Sequence, residues 1–152
     1  MADDRSDAED RSNAEDQARL FTLAEARATL PRLEPLLRDV QDAKETVLDV
    51  QALIQSVRRS GTTDGDAIHS DTTPLEAQLR GLAQRMRRTL GEITEIGVVI
   101  KDIDRGLVDW VAMRDGHRVY ICWELGEAEI GWWHEIAAGF AGRQAIVTEE
   151  WA

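Results

Sequence analysis

The chain has 152 residues, and its 29 acidic residues against 18 Lys and Arg give a formal net charge of −11 at pH 7. This balance argues against nucleic acid as a partner, because phosphate backbones are bound by basic surfaces. The single cysteine, Cys122, excludes an intrachain disulfide and every zinc site built on paired cysteines. No apolar run approaches the roughly 18 residues of a membrane span. We therefore expect a cytoplasmic protein of one domain's length, with no membrane partner.

The N-terminal segment is acidic and, apart from Met1, contains no large apolar side chain before Leu20. Such a segment cannot bury enough surface to offset the entropy of ordering its backbone. We expect residues 1–20 to be a disordered acidic leader, with ordered structure starting near Phe21.

The helical part of the chain begins with a capping signal. Thr22 and Glu25 have the spacing of a capping box, in which each side chain accepts a hydrogen bond from the backbone of the other residue. Pro31 and Pro35 follow, and proline both lacks an N–H and disfavours helix in the residue before it. We expect a short capping helix that ends or kinks at Pro31, followed by a long helix over residues 32–58.

Apolar residues then recur at alternating steps of three and four, the period of helices that supercoil around each other. The positions in the first long helix are Leu33, Leu36, Val40, Ala43, Val47, Val50, Ile54 and Val57. The pattern returns over residues 74–96 at Leu75, Leu79, Leu82, Met86, Ile93 and Ile96, with Thr89 in one seam slot. Residues 59–73 are rich in Ser, Gly, Thr and Asp, which is typical of a connecting loop. Residues 21–97 are thus predicted to form an antiparallel, coiled-coil-like helical hairpin.

After Gly97, which suits a helix C-cap, the apolar period changes from 3.6 to 2. Strands are predicted over residues 98–101, 107–111, 117–124 and 130–134, with a short final strand over 145–147. Asp104-Arg105-Gly106 and Asp115-Gly116 are residues that tight hairpin turns require. Residues 98–152 are predicted to be an aromatic-rich antiparallel β-meander with a C-terminal loop, so the fold class is α+β.

Several segments of the chain are motif-like. They are Phe21-Thr-Leu-Ala-Glu-Ala26, Lys101-Asp-Ile-Asp-Arg-Gly-Leu-Val-Asp109, Cys122-Trp-Glu-Leu-Gly-Glu127, Ile130-Gly-Trp-Trp-His-Glu135 and Gly139-Phe-Ala-Gly-Arg143. With them, the chain over about residues 20–147 resembles an uncharacterised prokaryotic family catalogued as domain of unknown function number 2203. The resemblance implies a compact single-domain protein and no particular reaction.

The aromatic residues are concentrated in the meander, where all five tryptophans follow residue 109. Aromatic side chains dominate both small cores and interface hot spots. Adjacent Trp132 and Trp133 point to opposite faces of a strand, so at least one needs a partner outside the core of the sheet. We predict a binding surface, and list its residues as Trp132, Trp133, His134, Glu135 and Arg143. The predicted function is a non-catalytic protein-interaction or scaffold module with an unidentified protein partner and no cofactor.

The alternative function is a small metal-binding protein or enzyme centred on His134, Glu135 and Cys122, which carry side-chain types used for metal ligation and proton transfer. Their spacing matches no standard ligand pattern, and no single helix or hairpin presents three convergent ligands. A shared site would also need strand neighbours that the sequence does not specify. Asp109 is interpreted as a hairpin residue. We therefore predict that no metal is bound.

The second helix carries a basic stripe opposite its seam, formed by Arg80, Arg85, Arg87 and Arg88. A phosphate contact is conceivable there, but acidic residues of the first helix can pair with the stripe, which favours a solvated helix face. The chain also lacks a phosphate-binding glycine loop. These observations argue against nucleotide and nucleic-acid binding.

Four leucines, Leu37, Leu48, Leu53 and Leu90, widen the helical seams beyond what two helices can cover. A second hairpin could cover these flanks in a four-helix bundle. We therefore expect a homodimer formed through the hairpin, with the meander as the alternative cover.

Overall fold

The computed structural model describes residues 18–60 and 71–151. Within these ranges it has two α-helices, α1 (Leu23–Ser60) and α2 (Thr73–Ile96). The strands are β1 (Val99–Asp102), β2 (Leu107–Arg114), β3 (His117–Glu124), β4 (Trp132–Glu135) and β5 (Gln144–Ala145), with 3₁₀ turns at Phe140–Gly142 and Thr148–Trp151. The predicted α+β class, a helical hairpin followed by an antiparallel meander, is confirmed. Residues 1–17 of the predicted leader and most of the interhelical loop lie outside the described residues. The prediction that the disordered leader extends to residue 20 is wrong, because Leu20 pairs with Val111 of β2.

Helix α1 is continuous and contains both prolines. The prediction of a separate capping helix is therefore wrong, because those residues form the first turns of α1. Each internal proline costs about 3 kcal/mol through a lost ladder hydrogen bond and a steric clash. Pro31 and Pro35 are both exposed, so the disturbed side of the ladder faces water. On the opposite side Leu33 and Leu37 are completely buried, and their packing holds the helix together.

The predicted ends of the hairpin are confirmed. The Glu25 N–H donates to Thr22 Oγ1 at 3.1 Å, and the Thr22 N–H donates to Glu25 Oε1 at 3.1 Å, which completes the capping box. At the end of α2, Gly97 has a φ of 99°, and its N–H donates to the Thr94 carbonyl oxygen. The left-handed backbone at Gly97 closes α2 and directs the chain into β1.

The helical seams face each other and the sheet, as their spacing predicts. The buried seam residues of α1 are Leu33, Val40, Ala43, Val50 and Ile54. Thr89 occupies its seam slot in α2, and its hydroxyl donates to Asp39 Oδ2 at 2.9 Å. Arg85 of the basic stripe pairs with the same carboxylate, so this part of the stripe is used within the hairpin. Neither α1 nor α2, as described, is long and apolar enough to cross a membrane.

The sheet covers part of the apolar helix surface from which the homodimer is predicted. Leu37 is buried and Leu90 packs against the core, which includes residues of the sheet. Leu48 and Leu53 remain 58% and 50% exposed. Self-association through this remaining apolar surface stays a prediction.

The sheet has the strand order β1-β2-β3-β4-β5, and each neighbouring pair is antiparallel. Alternate residues face the helices, and this helix face includes Trp110, Ile121, Trp123 and Trp133, which join the helical leucines in one core. The Trp110 indole N–H donates to Thr29 Oγ1 of α1 at 3.0 Å. The opposite side, here called the outer face, carries the residues between them: Asp109, Tyr120, Cys122, Trp132 and His134.

Candidate metal centre

Three buried polar side chains meet on the outer face, here called the triad: Asp109 on β2, Cys122 on β3 and His134 on β4. The strand register places Asp109 directly opposite Cys122 and places His134 opposite Tyr120, so His134 lies diagonal to Cys122. The potential ligand atoms of the triad all lie within 4.8 Å of one another. Three adjacent strands therefore bring an acid, a thiol and an imidazole to one point.

The orientation of His134 is fixed by two hydrogen bonds. Its Nδ1 lies 2.8 Å from the backbone carbonyl oxygen of Glu135. A carbonyl oxygen can only accept, so Nδ1 carries the hydrogen. Nε2 then faces Asp109, whose Oδ2 is 3.1 Å away. Metal-binding histidines are commonly oriented in this way, with one nitrogen held by a carbonyl and the other directed at the ion.

The protonation of the triad is set by burial and by Asp109. Burial opposes the charged form of His134, but the hydrogen bonds to the Asp109 carboxylate and the Glu135 carbonyl outweigh it and raise the pKa of the imidazole. Burial, followed by the negative charge of Asp109, raises the pKa of the Cys122 thiol well above its usual range. Because the thiolate is the reactive form, Cys122 is a poor nucleophile unless a cation stabilises its anion.

Asp109 has one carboxylate oxygen that protein groups leave unsatisfied. The residue is only 1% exposed. Its Oδ2 contacts His134, but Oδ1 has no hydrogen-bond partner among the described residues. An unsatisfied buried polar atom costs about 1–3 kcal/mol, and more when it is charged. A cation bound by the triad would satisfy this oxygen.

The donor set of the triad fits a transition-metal ion. Thiolate, imidazole and carboxylate are all ligands of Zn²⁺, and tetrahedral ligation at bond lengths of about 2.0–2.3 Å places ligand atoms about 3.5 Å apart. His134 Nε2 and Asp109 Oδ2 are 3.1 Å apart, so they have to separate by about 0.4 Å to ligate one ion. The Cys122 sulfur lies within 4.8 Å of the other two ligand atoms, so it has to approach them by at most about 1.3 Å, which side-chain rotation can supply. Three protein ligands leave a fourth position open.

A cavity of about 150 Å³ lies beside the triad. Its other lining residues are Lys101, Leu107, Tyr120, Ile136, Gly139 and Phe140. The Lys101 ammonium lies 4.3 Å from the centre of the Tyr120 ring, which holds it at the cavity by a cation–π interaction. The loop after β4 supplies the apolar side chains of Ile136 and Phe140, so the cavity combines one cationic wall with apolar walls.

The five predicted binding residues do not all lie together. Trp132 and Arg143 do meet: the guanidinium carbon is 4.9 Å from the Trp132 ring, and Trp132 is 39% exposed. Arg143 also bonds both carboxylate oxygens of Glu127, at 2.8 and 2.7 Å. Trp132 lies opposite Cys122 in the sheet, so this pair borders the triad.

The remaining predicted residues separate. Trp133 lies on the helix face, where its ring contacts the Arg114 guanidinium at 4.5 Å. Glu135 bonds His117 Nε2 at 3.0 Å, and this hydrogen bond raises the pKa of His117. Of the alternative site, His134 and Cys122 therefore converge, whereas Glu135 takes part in a separate pair.

Asp109 is the site residue that the sequence interpretation missed. It lies within β2, a strand of the β2–β3 hairpin, so it is a hairpin residue as interpreted, but its buried carboxylate also belongs to the triad. As expected, no single helix or hairpin presents all three ligands: the β2–β3 hairpin supplies two of them and β4 supplies the third. The available signal was a single acidic residue in the otherwise apolar run Leu107–Val111. In a β2–β3 hairpin this residue can share one face of the sheet with Cys122. Tertiary packing decides which strand pairs with β4 and in which register, and no local motif encodes either.

Comparison with protein families matches residues 19–146 to the family described as "Uncharacterized conserved protein (DUF2203)". No curated protein and no solved structure matches the chain. The match covers the helical hairpin, every strand of the sheet and all three residues of the triad. The chain therefore belongs to the uncharacterised conserved protein family DUF2203.

Proposed function

We propose that the protein binds a divalent transition-metal ion, with Zn²⁺ as the best fit, through Asp109, Cys122 and His134. The observation that carries this proposal is the buried Asp109 Oδ1, which has no hydrogen-bond partner among the described residues. Asp109 belongs to a triad whose potential ligand atoms lie within 4.8 Å of one another. A structural Asp–His pair accounts for Oδ2 and the imidazole. It does not account for the Oδ1 atom, which has no partner of its own in the described part of the chain although the Cys122 thiol beside it is also hydrogen-bonded to Asp109.

Metal binding at this triad must displace protons, because a metal ligand has to present a free lone pair. His134 and Cys122 both have raised pKa values, so at each of them a proton competes with the metal for the ligand atom. Affinity for the metal should therefore increase with pH. A thiolate ligand also needs a reducing environment, which supports the proposal that the protein works in the cytoplasm.

Titration with Co²⁺ tests the proposal, because a cobalt–thiolate bond gives a charge-transfer band in the near ultraviolet. We expect one equivalent to bind the whole chain with this band. Cys122→Ser, Asp109→Asn and His134→Gln should each lose the band or weaken binding strongly while keeping the circular dichroism of the native fold. The matched controls His117→Gln and Glu135→Gln remove the second His–carboxylate pair and should bind normally. Absence of the thiolate band in the wild-type protein would refute the proposal, as would its loss in either control.

A second function, the protein-interaction module, is supported by the exposed Trp132 stacked on Arg143. Large exposed aromatic side chains beside arginine are typical of interface hot spots. Trp132→Ala should keep the fold and release a protein that co-purifies with the wild type from its native cells. Met113→Ala is the control, since Met113 is also exposed and lies on another strand. Unchanged co-purification with Trp132→Ala would argue against this function.

A further inference from the structure

The charge beside the triad favours an anionic ligand. If the proposed ion is bound, the two charges of a divalent cation are balanced by the Asp109 carboxylate and the Cys122 thiolate. Among the residues that line the cavity, Lys101 then adds one positive charge. Its side chain and the three residues of the triad line the same cavity. An anion entering the cavity would therefore meet both the ion and the ammonium.

The size and walls of the cavity restrict that anion. A volume of about 150 Å³ is comparable to that of a protein cavity that holds one benzene, a molecule of six non-hydrogen atoms. The apolar side chains of Leu107, Ile136 and Phe140 line the same space. Inorganic oxyanions would leave these side chains against polar oxygen, whereas a short alkyl group would pack on them.

We infer that the open position of the metal centre accepts the carboxylate of a small organic acid, of about four to six non-hydrogen atoms, with Lys101 pairing the carboxylate and the apolar walls contacting its short chain. This inference rests on the metal site proposed above. It adds a ligand class and assigns Lys101 the role of a ligand-binding residue. Asp109, Cys122 and His134 hold the ion, and Tyr120 positions the Lys101 ammonium through its ring.

The test uses the Co²⁺-loaded whole chain and follows its visible spectrum during titration with propionate. We expect a saturable spectral change with propionate and a much weaker response to neutral propionamide. Lys101→Met should keep the cobalt–thiolate band and weaken propionate binding at least about tenfold, and Lys101→Arg should restore much of the affinity. Lys44→Met is the matched control, because Lys44 is the other lysine of the chain and pairs with Asp104 away from the cavity.

The outcomes separate the two proposals. A thiolate band without any response to propionate would overturn the inference and leave the metal site intact. Equal propionate affinity in the wild type and Lys101→Met, or equal responses to propionate and propionamide, would also overturn it. Absence of the thiolate band would refute the metal site and the inference together.

Discussion

Gly106 occupies the turn that sets the register between β1 and β2, and its replacement by alanine should be costly. Its φ is +65°, a backbone conformation that costs an L-residue about 1–2 kcal/mol. A Cβ at this position would lie 2.5 Å from Leu125 Cβ, which is anchored to the backbone and cannot rotate away. Forcing such a contact costs about 1–3 kcal/mol more. We therefore expect Gly106→Ala to lower the free energy of unfolding by about 2–5 kcal/mol.

Gly116 offers a matched control in the β2–β3 turn. Its φ is +82°, but among the described residues, apart from its two chain neighbours, no atom lies within 4 Å of an added Cβ. Gly116→Ala should therefore cost only the backbone term of about 1–2 kcal/mol. Urea unfolding of both variants at neutral pH with a chelator measures the difference, which isolates the Leu125 contact. Equal losses of stability in the two variants would refute the packing at Gly106, and with it the turn geometry that leads into Asp109.

Two further predictions follow from the charges and the exposed surface. In chelator-treated protein carrying His117→Gln, the raised folded pKa of His134 contributes stability that is complete below the unfolded pKa of about 6.5 and is lost as pH rises. The free energy of unfolding of this His117→Gln protein should then fall by at most about 1.4 kcal/mol per pH unit above pH 6.5. Adding Asp109→Asn should flatten this fall, and a pH-independent stability of the His117→Gln protein would contradict the His134–Asp109 pairing. Sedimentation at micromolar concentration should show a dimer that Leu48→Glu with Leu53→Glu dissociates, and a wild-type monomer would exclude self-association through α1.

The sequence predicted most of the fold because its signals are local. The capping box at Thr22, the heptad seam, the left-handed cap at Gly97 and the Asp115-Gly116 turn each act within a few residues, and all appear in the structure. The prolines of α1 misled the prediction because tertiary packing of the neighbouring leucines outweighs their local cost. Propensity rules describe local backbone preferences and do not include the free energy of packing side chains into a core.

The candidate site depends on a kind of information that local patterns lack. Cys122 and His134 were identifiable as reactive side-chain types, but their proximity requires β4 to pair with β3 in one register. A shift of one residue would move His134 to the helix face. Asp109 was identifiable only as an acidic residue within an apolar strand. Its role in the site depends on His134, which β4 places on the other side of β3. Residues on three strands form a site that no sequence spacing describes.

X-ray absorption at the zinc edge of the metal-loaded chain tests the central claim most directly. The account predicts one sulfur ligand at about 2.3 Å and nitrogen or oxygen ligands at about 2.0–2.2 Å, with an imidazole contribution. Cys122→Ser should remove the sulfur contribution, and His117→Gln should leave the spectrum unchanged. A zinc environment of nitrogen and oxygen alone in the wild-type protein, or failure to retain zinc, would contradict a metal centre formed by Asp109, Cys122 and His134.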